Sequence, residues 1–136
     1  MSNADTATAF AAALSAHDPD KAAALMTDDF TATGLAPITM TKEIFLAGQR
    51  AWYAGCPDWT VTPGGLTESG ATVNGKVTIT GTHTSTLSLP GAPTLPPTGK
   101  RLTSTDDATM TIRDGKVAVL AITQGTPTLM QQLGLE

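Results

Sequence analysis

Two residues of this chain have the chemistry and the setting to move a proton within an apolar site, His83 and Asp106. Histidine titrates near neutral pH and serves as acid or base. His83 falls on the apolar face of a strand read from Lys76 to Thr84, beside Gly81, which leaves space next to it. Asp106 falls on the same face of a second strand as Ala108 and Met110. Burial on an apolar face disfavours the charged form of a carboxylate, which is how proteins commonly make one into a general base. Two other readings stay open. His83 could only bond a loop backbone, and a β-bulge at Asp106-Asp107 would turn both acids to solvent. If His83 and Asp106 meet across neighbouring strands, they form the one acid/base pair the pattern offers.

Around that pair the expected substrate-binding set is Tyr53, Trp59, Ser104, Met110 and Thr123. Tyr53 offers a hydroxyl near the end of a helix, whereas Trp52 beside it reads as core. Ser104 and Met110 share the face of Asp106, and Thr123 lies near the end of the last strand. Arg50 could serve an acid as in a hydrolase, against the blander reading of a solvated helix face. Cys56 has no His or Asp beside it and does not read as a nucleophile. His17, His83 and one cysteine match no metal-ligand spacing, so no metal is expected. No glycine-rich phosphate loop is present, and no cofactor is expected.

The elements that must position these residues run as follows. Ala4 to Ala16 is alanine-rich and helical, with Phe10, Ala13 and Leu14 on one face. Asp18-Pro19 starts a second short helix carrying Ala22, Leu25 and Met26. Phe30 to Ala36 reads as extended. Thr41 caps a third helix, Lys42 to Ala54, with Gly55 as its stop. Then come strands: Trp59 to Thr62, Lys76 to Thr84 after a hairpin signal at Asn74-Gly75, Arg101 to Arg113, and Lys116 to Gln124 after the turn Asp114-Gly115. Thr126-Pro127 restarts a short helix. Helices first and an antiparallel meander after them make this an α+β domain, one domain over residues 1–136.

Strand alternation assigns the faces. Val77, Ile79, Gly81 and His83 share one side, and Leu102, Ser104, Asp106, Ala108, Met110 and Ile112 do so in the next strand. These sides must lie under the helices. The chain has 25 threonines, and most of those in the strands fall on the opposite side, where a β-branched hydroxyl residue suits an outer sheet surface. The last strand is apolar on both faces, with Val117, Val119 and Ala121 against Leu120 and Ile122. A homodimer through the outer sheet face is therefore expected.

Composition excludes several classes. Hydrophobic residues make up 40 % and the net charge is −4, which is too apolar and too little charged for a disordered chain. No apolar run reaches membrane-spanning length. Eight basic residues without a cluster, against twelve acidic ones, argue against nucleic acid. One cysteine and no basic segment before an apolar stretch lead to the expectation of no signal peptide and a cytoplasmic, reducing compartment.

Five segments in order carry a family resemblance: Cys56-Pro57-Asp58-Trp59, Gly81-Thr82-His83-Thr84, Pro96-Pro97-Thr98-Gly99-Lys100-Arg101, Asp114-Gly115-Lys116-Val117 and Gln131-Gln132-Leu133-Gly134. Together they resemble the SnoaL-like polyketide cyclase family of the NTF2-like superfamily, over nearly the whole chain. The resemblance implies a cone, a curved antiparallel sheet wrapped around the N-terminal helices with a pocket at its open end. It implies a small-molecule enzyme that performs cofactor-independent acid/base catalysis, an aldol-type cyclisation or isomerisation, on an apolar polyketide-like substrate. In that family a carboxylate near the end of the last strand is the general acid/base. Here the position falls at or near Gly125, and Thr123, Gln124 and Thr126 supply no carboxylate. A non-catalytic small-molecule-binding module is therefore the alternative, and an epoxide hydrolase using Arg50 and Asp106 the third reading.

Overall fold

Local signals in the sequence set most of the element ends. In the computed structural model, which describes residues 2–134, α1 spans Asn3–Ser15. Its cap is reciprocal: the Ser2 hydroxyl accepts from the Asp5 N–H at 3.0 Å, and the Asp5 carboxylate accepts from the Ser2 N–H at 3.2 Å. Ala7, Phe10, Ala11 and Leu14 form its buried stripe. α2 (Pro19–Ala24) is capped by Asp18 with Pro19 at its first position, and α3 (Lys42–Gly55) is capped by Thr41. The strands are β1 (Met26–Thr33), β2 (Met40–Thr41), β3 (Thr60–Ser69), β4 (Thr72–Thr82), β5 (Arg101–Arg113) and β6 (Lys116–Thr123), followed by α4 (Leu129–Gln132).

The six strands form one curved, unclosed sheet in the order β2-β1-β6-β5-β4-β3. β3 to β6 make the antiparallel meander, and β1 joins β6 in parallel. α1 lies against β3 to β6, and α3 against β1 and β2. Among the described residues no helix is long and apolar enough to cross a membrane.

Four local expectations change. Met26 belongs to β1, not to α2. The helix ends at Ala24, and the carbonyl of its C-cap, Leu25, accepts from the Val117 N–H at 2.7 Å and so feeds the chain into the sheet beside β6. Asn74-Gly75 is not a turn but the middle of β4, where Asn74 pairs with Thr67 and Thr109. The hairpin turns at Gly70, whose φ of +59° suits glycine. Gly75 is needed for a close approach: a Cβ there would stand 2.6 Å from Leu66 Cδ2 and 3.0 Å from the Gly64 carbonyl oxygen. β3 extends well past Thr62, to Ser69, bulging between Gly64 and Thr67. At the C-terminal end Thr128, not Thr126, caps the helix, and Pro127 precedes the cap.

The face assignment is observed as read. Leu102, Ser104, Asp106, Ala108, Met110 and Ile112 are all buried on β5, whereas Thr103, Thr105 and Asp107 are exposed. The outer face is tied by cross-strand polar pairs, among them Thr60–Thr80 at 2.6 Å, Thr78–Thr105 at 3.3 Å and Lys76–Asp107 at 2.7 Å. Beneath the sheet, the three phenylalanines of the chain meet. Phe30 lies 5.3 Å from Phe45 and 6.3 Å from Phe10, centroid to centroid, and joins β1 to α1 and α3. Truncating a buried phenylalanine removes this contact and leaves a cavity. Phe30→Ala is expected to cost about 3–5 kcal/mol, measured as a lower midpoint in urea unfolding followed by tryptophan emission.

Candidate functional site

A cavity of about 440 Å³ opens at the end of the sheet between α3, α4 and two loops. Its walls are mostly apolar. α3 contributes Ile44, Phe45, Gly48, Gln49 and Trp52. That spacing is one helical stripe, four residues per repeat. The loops contribute residues 34–38 and 89–92, the sheet contributes Ile79 and Asp106, and Trp59 just before β3 and Gln124 just past β6 complete this side. The volume lies in the range of small-molecule sites. A larger, shallower groove of about 720 Å³ runs over the outer face along Lys76 and Asp107, and no buried polar side chain among the described residues lines it.

Among the described residues, Asp106 is the one charged residue on the cavity wall. It is 2 % exposed. No bulge turns it out; alternation sends Asp107 outward to Lys76 and Asp106 inward. Oδ1 accepts two hydrogen bonds, from the Ser104 hydroxyl at 2.5 Å and from the Gly125 N–H at 2.8 Å. Oδ2 has no hydrogen-bond partner among the described residues. One oxygen is held by two donors and the other has none among the described residues.

Gly125 explains itself at this point. A Cβ on it would stand 2.3 Å from the Thr105 carbonyl oxygen, so no side chain fits while the chain crosses β5 this closely. The position that the resemblance reserves for a carboxylate carries instead the N–H that holds a carboxylate of the neighbouring strand.

His83 lies elsewhere. The β4–β5 register sets Val77 opposite Asp106 and Gly81 opposite Leu102. His83 is thus six residues along from the partner of Asp106, about 20 Å at about 3.3 Å per residue. The two do not meet, and His83 does not line the cavity. It is fully buried. Its Nδ1 lies 2.9 Å from the Thr98 hydroxyl and 3.2 Å from the Thr98 N–H. An amide N–H only donates, so Nδ1 accepts and the ring hydrogen sits on Nε2. Backbone bonds from His83 N–H to Lys100 and from Gly99 N–H to His83 close the base of the same loop. The geometry is that of a loop clamp.

The expected binding set divides. Trp59 lines the cavity, stacked on Trp52 at 4.7 Å and 14°. Trp52 is there and Tyr53 is not, because a helix turns about 100° per residue and adjacent positions face different ways. Tyr53 instead stacks on His17 at 4.3 Å. Burial, and secondarily the Asp18 charge, push its phenol up to about 12. Ser104 reaches the site only through Asp106. Met110 is buried core, away from the cavity. Thr123 is exposed, opposite Asp107 on the outer side; the next residue, Gln124, takes the place on the wall and donates to the Gly34 carbonyl at 2.7 Å. Arg50 is exposed on α3 and absent from the cavity, so the arginine that an epoxide hydrolase reading needs is not there. Gln49 was missed, although a lone amide on the apolar stripe of Phe45 and Trp52 is a readable signal. Gln49 Oε1 and Trp59 Nε1 are both buried with no hydrogen-bond partner among the described residues.

Cys56 is fully buried against Gly81, and burial, with the Asp58 charge second, pushes its thiol up to about 11. Asp58 itself accepts from the Thr82 N–H at 2.6 Å and the Thr82 hydroxyl at 2.8 Å, and the backbone bond foremost holds its carboxyl below the usual range. Among the described residues no group of three or more His, Cys, Asp or Glu is placed to hold a metal ion.

Residues 7–120 match the model of the SnoaL-like domain. Solved structures share the fold. AclR, a proposed hydroxylase from Streptomyces galilaeus, superposes with a TM-score of 0.79 at 17 % identity, over 97 % of this chain and 95 % of that one. IdmH, a proposed polyketide cyclase from Streptomyces antibioticus, gives 0.78 at 22 %, over 98 % and 99 %. A proposed SnoaL-like polyketide cyclase from Jannaschia Sp. CCS1 gives 0.78 at 19 %, over 98 % and 92 %. No curated protein matches the chain significantly in sequence.

Two outcomes test this geometry. Gly125→Ala forces a methyl against a carbonyl and is expected to lower stability by about 1–3 kcal/mol or more, read from urea unfolding. The Cys56 thiol should stay unreactive toward an aromatic disulfide reagent at pH 8 in the native protein and react promptly in urea; fast native labelling would contradict its burial.

Proposed function

Since the chain belongs to the SnoaL-like domain family, we propose that it is a small-molecule enzyme that uses Asp106 for acid/base catalysis on an apolar, polyketide-like substrate. The reaction is an aldol-type ring closure or an isomerisation, and it needs no cofactor. The observation that carries this reading is the buried carboxylate on the cavity wall, with Oδ1 bonded twice and Oδ2 unpartnered among the described residues.

In this reading Oδ2 takes a proton from a carbon next to a substrate carbonyl. The enolate carbon then attacks a second carbonyl of the same molecule, forming the carbon–carbon bond. The alkoxide takes the proton back from Asp106. For an isomerisation the same proton returns to a different carbon. Ser104 and Gly125 are positioning residues: they fix the carboxyl plane so that the free oxygen needs no reorganisation during transfer. Gln49 offers an amide to the developing oxyanion. Trp52, Trp59 and the loop residues hold the ring system and exclude water. The cyclase names of several structural neighbours agree with this chemistry.

The alternative is a binding module without turnover, favoured by the lack of a side chain at Gly125. One variant separates the two. Asp106→Asn keeps an oxygen for Ser104 and Gly125 but removes the base. Turnover of a confirmed substrate is expected to fall by about 100-fold or more, with KM changing little. Unaltered kcat in that variant would remove Asp106 from the chemistry. A bound compound recovered unchanged from the unaltered protein, by mass spectrometry, would leave the binding module.

A further inference from the structure

The cavity presents an unbalanced charge. Asp106 is the only charged residue on its wall among the described residues, and it is 2 % exposed. All eight basic side chains of the chain lie outside the cavity wall: Lys21, Lys42, Arg50, Lys76, Lys100, Arg101, Arg113 and Lys116. Several have partners of their own. Lys76 pairs with Asp107, Arg101 approaches Asp58, and Arg113 pairs with Asp29. Lys42 bonds the Met26 carbonyl, and Lys100 bonds the Gln132 carbonyl. A buried carboxyl group without a counter-ion either keeps its proton or pairs with a cation that enters the cavity.

The same wall carries Trp52 and Trp59, whose stacked indoles suit an organic cation. The net charge of −4 adds a field that favours the approach of cations. We infer that the molecule this cavity takes is a hydrophobic amine, bound as its ammonium or iminium ion. Its apolar body rests on the indole pair, and its charge lies within reach of Asp106.

The inference rests on the reading of this cavity as a small-molecule site and adds the class of molecule. It is compatible with the proposed chemistry. A cationic nitrogen acidifies the carbon–hydrogen bonds beside it, so the charge that binds also helps the proton leave. A carboxylate or phosphate ester, by contrast, would meet Asp106 with no cation on the wall to offset the repulsion.

Three ligands on one frame test it: 3-cyclohexylpropylamine, 3-cyclohexylpropanol and 3-cyclohexylpropanoate. Each is titrated into the full chain at pH 7 by calorimetry, with tryptophan emission as a second readout. Both tryptophans line the cavity, and a saturated ring does not absorb at their wavelengths. The expected order is amine, then alcohol, then carboxylate, with the amine at least about tenfold tighter than the alcohol. In Asp106→Asn the amine should fall to the affinity of the alcohol, while the alcohol changes by less than about threefold. An alcohol that binds as tightly as the amine overturns the inference and leaves the small-molecule site standing. An amine preference that survives Asp106→Asn also overturns it. If none of the three binds or shifts the emission, the cavity reading fails as well. The ranking on the unaltered chain needs no variant, so it decides the matter even if Asp106→Asn folds poorly.

Discussion

The hydrogen bond from the Gly125 N–H to Asp106 organises the open end of this fold. A carboxylate on the inner face of a sheet must find donors there, because an unsatisfied buried acceptor costs about 1–3 kcal/mol and more when charged. Ser104, two residues back on the same face, gives one donor, and the chain leaving β6 gives the other. To bring that amide close, the chain must cross β5 with its backbone almost touching the Thr105 carbonyl, and only glycine allows it. The crossing then carries residues 126–133 back toward the cavity. Leu129 and Met130 close part of its wall, and Leu133 is buried in the core. Gln132 fixes the return by pairing with both the N–H and the carbonyl of Thr103, at 3.1 and 2.7 Å.

The segments that carry the family resemblance turn out to be clamps of the same kind. Asp58 holds the end of β4 through Thr82. Gly81 gives Cys56 and Trp59 room: a Cβ there would lie 3.0 Å from Cys56 and 3.2 Å from Trp59. His83 ties the loop before β5 through Thr98. Asp114 and Gly115, with φ of +53° and +73°, form a turn that matches the twist of β5 and β6. Such contacts set where the strands and loops lie. Asp106, the one charged residue on the cavity wall among the described residues, lies outside all five segments. This is why a strong resemblance located the fold and left the buried carboxylate on the cavity wall to be found by alternation.

By itself the sequence determined what depends on neighbours along the chain. The helix caps at Asp18 and Thr41, the Asp114-Gly115 turn and the inward course of Leu102, Ser104, Asp106, Ala108, Met110 and Ile112 all follow from local propensity or a period of two. The threonine excess was legible in the same way, as the outer face of the sheet. Tertiary structure decided what depends on register, helix rotation and backbone approach. His83 and Asp106 share the inner face, yet the β4–β5 pairing sets them about 20 Å apart. Trp52 rather than Tyr53 reaches the cavity because α3 packs in one rotation only. Asn74-Gly75 continues a strand because it pairs with β3 on one side and β5 on the other, and Leu66 packs over Gly75. Above all, Gly125 reads in sequence as a missing acid. In the fold its amide holds Asp106, because the β5–β6 pairing that sets Asp107 opposite Thr123 brings together two segments 19 residues apart in the chain.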